Sequence, residues 1–195
     1  MPDLWFGGSF NPIHTGHLIC ARAVAERAGF ARVILVPSAV SPHKVNDSAM
    51  ASANDRLQMC RLATENIAGF NVSDIEITLP TPSFTLQTVH ELKRRGHTLI
   101  DWLIGGDMLI FLPRWRKPLD LLKEANFVVM ARPGWNIDWS ALPAEYRHLR
   151  DNVVETPQID ISASDIRRRV AAGLGIEFLT PPAVADYIRN RGLYR

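Results

Sequence analysis

The sequence predicts a doubly wound α/β fold built on a parallel sheet. Short, largely apolar runs, as strands buried on both faces are, recur along the chain at residues 4–6, 33–36, 99–104 and 127–131. Segments of helical periodicity lie between them. Each run ends in a loop rich in Gly, Pro or Ser, at the carboxyl edge where such sheets bind ligands.

Residues 4–6 form the first strand, stopped by Gly7-Gly8, and small and aliphatic residues at helical spacing follow from Gly16 to Ala28 before Gly29. The β-branched run 33–36 is the second strand, closed by Pro37. Residues 37–51, rich in Ser, Pro, His and Lys, are expected as an exposed loop. Ser52 and Asp55 make a capping box for a helix through Leu57, Cys60 and Ala63 to about Ile67. Alternation over 72–79 suggests a further strand. Ser83 is expected to cap a helix through Leu86, Val89 and Leu92 that breaks at Gly96. The strand at 99–104 runs into Gly105-Gly106-Asp107, the strand at 127–131 into Arg132-Pro133-Gly134, and Val153-Val154 is a short candidate for one more. From Ser162 onward the chain reads as helical, with a break near Pro181.

The 195 residues, 47% apolar and 22% charged, are enough for one core, and a single domain spanning 1–195 is expected, without repeat or linker. The net charge of +2 and the scattered Lys and Arg, clustered only at Arg167, Arg168 and Arg169, argue against nucleic acid as a partner. Cys20 and Cys60 lack zinc or redox spacing and read as buried reduced thiols. With no basic leader before an apolar stretch and no membrane-length window, a soluble cytoplasmic protein is expected.

Residues 7–17, Gly-Gly-Ser-Phe-Asn-Pro-Ile-His-Thr-Gly-His, concentrate the chemistry. Gly7 and Gly8 would let backbone N–H groups approach a phosphate, and a helix starting near Thr15 would aim its free amides and positive dipole end at the same place. His14 and His17, three apart, share one face of that first turn and can donate to phosphate oxygens. A purely structural histidine pair and a zinc site are the rival readings; the latter lacks a third ligand at a matching spacing.

This segment resembles the signature of the nucleotidyltransferase superfamily that carries an H-x-G-H box. Residues 161–167, Ile-Ser-Ala-Ser-Asp-Ile-Arg, resemble its I-S-S-T-x-I-R element. Within that superfamily the chain is similar to the bacterial nicotinate mononucleotide adenylyltransferases: Pro42-His43-Lys44 is like their P-H-K, residues 82–86 like their P-S-Y-T, Gly105-Gly106-Asp107 like their G-x-D, and Trp115 falls where the family keeps a tryptophan over the pyridine ring. The resemblance covers residues 4 to about 194. Ser9 stands where Thr is usual, Asn11 where Asp is usual, and Ala163 interrupts the serine pair.

The resemblance implies a Rossmann-like nucleotidyltransferase that transfers the adenylyl group of ATP to nicotinate mononucleotide, with Mg²⁺ arriving on ATP and no protein-built metal site. His14, His17, Lys44 and Arg167 would be catalytic. Gly7, Gly8, Ser9, Phe10, Gly16, Gly105, Asp107 and Ser162, with His14, His17 and Arg167, would hold ATP. Lys44, Thr85, Trp115 and Arg132 would hold the mononucleotide. Nicotinamide mononucleotide and phosphopantetheine remain alternative acceptors, and an ATP sensor without turnover is the reading from another class.

Overall fold

The computed structural model describes residues 2–40, 49–132, 134 and 137–195. Among these, six strands form one parallel sheet: β1 (Asp3–Gly8), β2 (Arg32–Pro37), β3 (Phe70–Val72), β4 (Asp101–Gly105), β5 (Asn126–Ala131) and β6 (Val153–Glu155). Their order is β3-β2-β1-β4-β5-β6, so the chain winds outward from β1 in one direction and returns to continue in the other. The doubly wound expectation is met, and the reversal of direction between β1 and β4 opens a crevice beyond their carboxyl ends.

The helices are α1 (Thr15–Ala28), α2 (Ala53–Thr64), α3 (Ile75–Thr78), α4 (Thr85–Arg94), α5 (Gly106–Leu109), α6 (Pro118–Glu124), α7 (Ala163–Ala171) and α8 (Pro182–Arg191), with 3-10 turns at Leu112–Arg114 and Ala144–Asn152. Successive strand residues point to opposite faces, and this sorts the core into two layers. Leu4, Phe6, Val33, Leu35, Leu103 and Val128 pack beneath α1, α2, α7 and α8. Trp5, Ile34, Val36, Trp102, Ile104, Phe127 and Val129 pack against α3, α4 and α6. Both faces of the sheet are therefore covered, which is why the central positions of β1, β2, β4 and β5 are apolar in succession rather than alternately.

Three local expectations are corrected. Residues 72–79 are not one strand: β3 ends at Val72, Ser73 Oγ accepts the N–H of Ile75 at 3.3 Å, and the chain turns into α3. The turn bond that Ser73 offers outcompetes the alternating pattern there. Ser83 does not cap α4; Phe84 occupies that position without a side-chain bond, while Ser83 Oγ accepts from the N–H groups of Ala39 at 3.0 Å and Val40 at 3.4 Å. The helix capped by Ser52 ends at Thr64, short of Ile67.

Candidate active site

Helix α1 begins with a pair of interlocked histidines. His14 is the N-cap, and its Nδ1 accepts the backbone N–H of His17 at 3.3 Å; His17 Nδ1 accepts the backbone N–H of His14 at 3.2 Å. This is the geometry of a capping box with imidazoles in place of the usual hydroxyl and carboxylate. The two rings stack at 3.6 Å between centroids. Phe10, buried and at φ 45°, sets its ring edge-on to His17 at 5.2 Å and fixes it from below.

Because each Nδ1 accepts a backbone N–H, it carries no proton in the neutral ring, and the proton sits on Nε2. Burial pushes the pKa of His14 down to about 4 and holds that of His17 well below the usual histidine value, with His14 adding to the effect on His17. Near neutral pH the site thus presents two uncharged Nε2–H donors. The structural reading of the pair does not exclude the functional one, since capping by one nitrogen leaves the other of each ring as an N–H donor.

The glycines before them have a different cause from the one expected. A Cβ on Gly7 would lie 2.4 Å from Cζ2 of Trp102, and one on Gly8 would lie 2.9 Å from the Phe10 ring. Both residues are still in β1, so internal packing already requires glycine there. Gly16 differs: it lines the ligand cleft itself.

That cleft, about 410 Å³, opens where the switch in strand order puts it. His14, Gly16 and His17 lie on one wall, Gly105, Gly106 and Asp107 follow β4, Met130 and Arg132 close β5, and Ser162 and Ala163 start α7. Ser162 caps α7 by accepting the N–H of Asp165 at 3.1 Å, so a second helix start faces the first across the cleft. Arg167, one turn into α7, donates from Nη1 to the carbonyl of Asn11 at 2.8 Å and thereby ties this helix to the glycine loop. Arg167 itself, turned onto the Asn11 carbonyl, is not among the residues lining the cleft; two helix N-termini and the Arg132 guanidinium are, and they suit a polyphosphate.

A cytidylyltransferase-like family model matches residues 5–169. A protein of Roseiflexus sp. (strain RS-1) named "Probable nicotinate-nucleotide adenylyltransferase" is 41% identical over 191 residues, 97% of this chain and 96% of that protein. The chain belongs to this family. A Herpetosiphon aurantiacus protein of the same name is 37% identical over 96% of each chain. In fold, the chain is similar to the Plasmodium falciparum nicotinic acid mononucleotide adenylyltransferase complexed with NaAD, with a TM-score of 0.77, 18% identity, and coverage of 100% of this chain and 98% of that one.

The residues that the adenylyltransferase pattern assigns to the acceptor are distributed differently from those just described. Thr85 is half-buried at the first position of α4, and Trp115 packs edge-on to Phe127 at 6.4 Å with its Nε1 buried and unpartnered. Arg116 stacks over Phe84 at 4.6 Å, so the Trp115 segment and the α4 start adjoin each other. Neither Thr85 nor Trp115 lines the cleft of the two histidines, whereas Arg132, grouped with them from sequence, does. Lys44 lies outside the described residues.

Ser9 contributes a carbonyl to the Arg56 guanidinium, and Phe10 supports His17, so neither lines the cleft. Asn11 accepts from the Ala51 N–H at 3.0 Å and the Tyr194 hydroxyl at 2.7 Å, and donates to Ala49 O at 3.2 Å. Its amide is committed to holding the loop, and a carboxylate could not make the last bond. Cys60 is buried, but Cys20, expected there too, is half-buried and lines the cleft. Thr156, Pro157 and Ile159, beyond β6, line it as well and were not anticipated. The place of β6 at the sheet edge was the signal for them.

Proposed function

We propose that this chain transfers the adenylyl group of ATP to nicotinate mononucleotide, giving deamido-NAD and pyrophosphate. The observation that carries the reading is the interlocked pair His14 and His17, which aims two neutral donors from a helix start into a cleft faced by a second helix start and by Arg132. No helix among the described residues is long and apolar enough to cross a membrane, and the two free thiols fit the cytoplasm as its place of action.

An oxygen of the acceptor's phosphate attacks the α-phosphorus of ATP. The new P–O bond forms as the bond to the bridging oxygen breaks, and pyrophosphate leaves with that electron pair. The acceptor is already anionic, so no protein nucleophile is needed and the task is positioning and charge stabilisation. The Nε2–H groups of His14 and His17 donate to the transferring phosphate, and Arg167 and the amides at Ser162 receive the leaving one. Mg²⁺ carried by the triphosphate would supply charge neutralisation there. Both histidine Nδ1 lone pairs are spent on backbone N–H groups, which suits these residues to phosphate oxygens rather than to the metal.

The acid is favoured over the amide because α4 has no side-chain cap: no side chain takes its first-turn amides at Thr85, which as donors match carboxylate oxygens and mismatch an NH₂ group. Pyrophosphate release from ATP with each acceptor tests both levels. Nicotinate mononucleotide should exceed its amide by at least about a hundredfold in kcat/KM, roughly 2.7 kcal/mol. Equal use of the two would overturn the acceptor assignment alone; silence with both, and with phosphopantetheine, would overturn adenylyl transfer to a pyridine.

A further inference from the structure

Arg56, on α2, is 0% exposed. Its guanidinium donates to three backbone carbonyls from three parts of the chain: Nη1 to Ser9 at 2.7 Å, Nη2 to Ala39 at 2.7 Å and Nε to Ala51 at 3.1 Å. Among the described residues no carboxylate pairs with it. A buried cation spent wholly on main-chain oxygens is costly to keep, and what it secures is the relative position of those oxygens.

The three carbonyls belong to different halves of the site. Ser9 follows β1 in the loop that leads to His14, on the nucleotide side. Ala39 leaves β2 beside Ser83 and the start of α4, the side proposed for the acceptor, and Ala51 precedes the α2 cap, so they are the two feet of the intervening segment. The same feet are gripped again, Ala39 by Ser83 and Ala51 by Asn11. Between the halves, Ser38 is buried with its Oγ unpartnered and its N–H bonded to Gly8 O at 3.0 Å. A buried hydroxyl left without a bond costs free energy in the empty protein, and a polar ligand group at the junction would recover it.

We infer that Arg56 is a positioning residue for the transfer: its rigid fork sets the spacing between the nucleotide-side loop and the acceptor-side feet, and so aligns two substrates that neither half needs it to bind. The inference rests on the adenylyl-transfer reading. Lysine keeps the charge but offers a point rather than a planar fork, so Arg56→Lys separates charge from geometry. Misplacement of reacting groups by about 1 Å costs on the order of a hundredfold in rate.

The test compares wild type and Arg56→Lys in three measurements: kcat at saturation of both substrates, the Kd of a non-hydrolysable ATP analogue, and the Kd of nicotinate mononucleotide. The expected result is a kcat at least about thirtyfold lower, with each Kd within about threefold of wild type. A kcat within twofold of wild type overturns the inference, as does a loss that tracks a weakened Kd for one substrate or a reduced fraction of folded protein. Hydrogen exchange on the wild type gives an answer that does not depend on the variant folding. The amides of Ala39 and Ala51 should be protected before any substrate is added, and rapid exchange there that slows only on binding overturns preorganisation. If wild type itself releases no pyrophosphate, it is the parent reading that has failed.

Discussion

His14 and His17 each hold the other by the backbone: Nδ1 of one accepts the main-chain N–H of the other, in both directions. Each ring therefore spends one nitrogen on the fold and keeps the other as an N–H donor. Replacing His17 by Ala removes both. The expected result is a kcat about a hundredfold lower, from a lost transition-state donor, with about 1 kcal/mol lost from stability as the cap opens. Steady-state kinetics beside a denaturant titration separate the two, and unchanged turnover would refute the assigned role.

Acid should weaken the fold in a defined window. A histidine whose folded pKa is depressed binds its proton more readily when unfolded, so its stabilisation is complete above the unfolded value and is lost as pH falls through it. For His14, brought down to about 4, the window runs from about 6.5 to about 4, with His17 acting in the same direction. Asn is a good N-cap that does not titrate here, so His14→Asn should keep the helix start and flatten the decline. Urea midpoints at pH 7.5, 6 and 5 would show it; equal slopes in both proteins would exclude His14 as a source.

Arg167 reaches the Asn11 carbonyl with Nη1 and Ser164 Oγ, at 3.4 Å, with Nη2. Arg167→Lys preserves charge and loses the fork, and kcat/KM for ATP should fall about tenfold, with a larger fall for Arg167→Ala. Affinity for the mononucleotide, measured alone, should stay constant. A selective loss of mononucleotide binding would place Arg167 on the other substrate.

Gly7→Ala would put a methyl 2.4 Å from Trp102, whose side chain is 2% exposed and cannot withdraw into solvent. A loss of about 2–3 kcal/mol is expected from this overpacking. Adding Trp102→Leu should restore part of it, a coupling that a double-mutant cycle on denaturation midpoints would measure. Additive losses would mean that the contact with Trp102 is not what demands glycine.

The strands other than β3, and the two helix starts, were readable in the sequence because each depends on local information: β-branched runs at 33–36 and 127–131, and the Ser162 cap with Asp165 three residues on. The Arg56 clamp was not, although a trace of it exists. Arg56 stands three, four and seven positions before Met59, Cys60 and Ala63, on their buried stripe, and a charge in such a register is a signal that it is paired. What it pairs with, carbonyls 47, 17 and 5 positions away, is set by tertiary folding and has no local signature. The same holds for Ser83: a serine two residues before a helix reads as a cap, and only the neighbouring β2 exit shows its hydroxyl to be engaged elsewhere.

The bond from the Tyr194 hydroxyl to Asn11 Oδ1 spans 183 positions. A ribosome releases the glycine loop early and Tyr194 almost two hundred residues later. At the roughly 5–20 residues per second of translation, the loop therefore waits on the order of ten seconds or more for that partner. During that wait β1, α1 and β2 can assemble from contacts close in the chain, but Asn11 lacks one of its three holders. The nascent protein thus acquires its sheet well before its nucleotide loop is complete, and a nucleotide added to stalled chains lacking residues 187–195 should protect the loop from protease less than it protects the released protein.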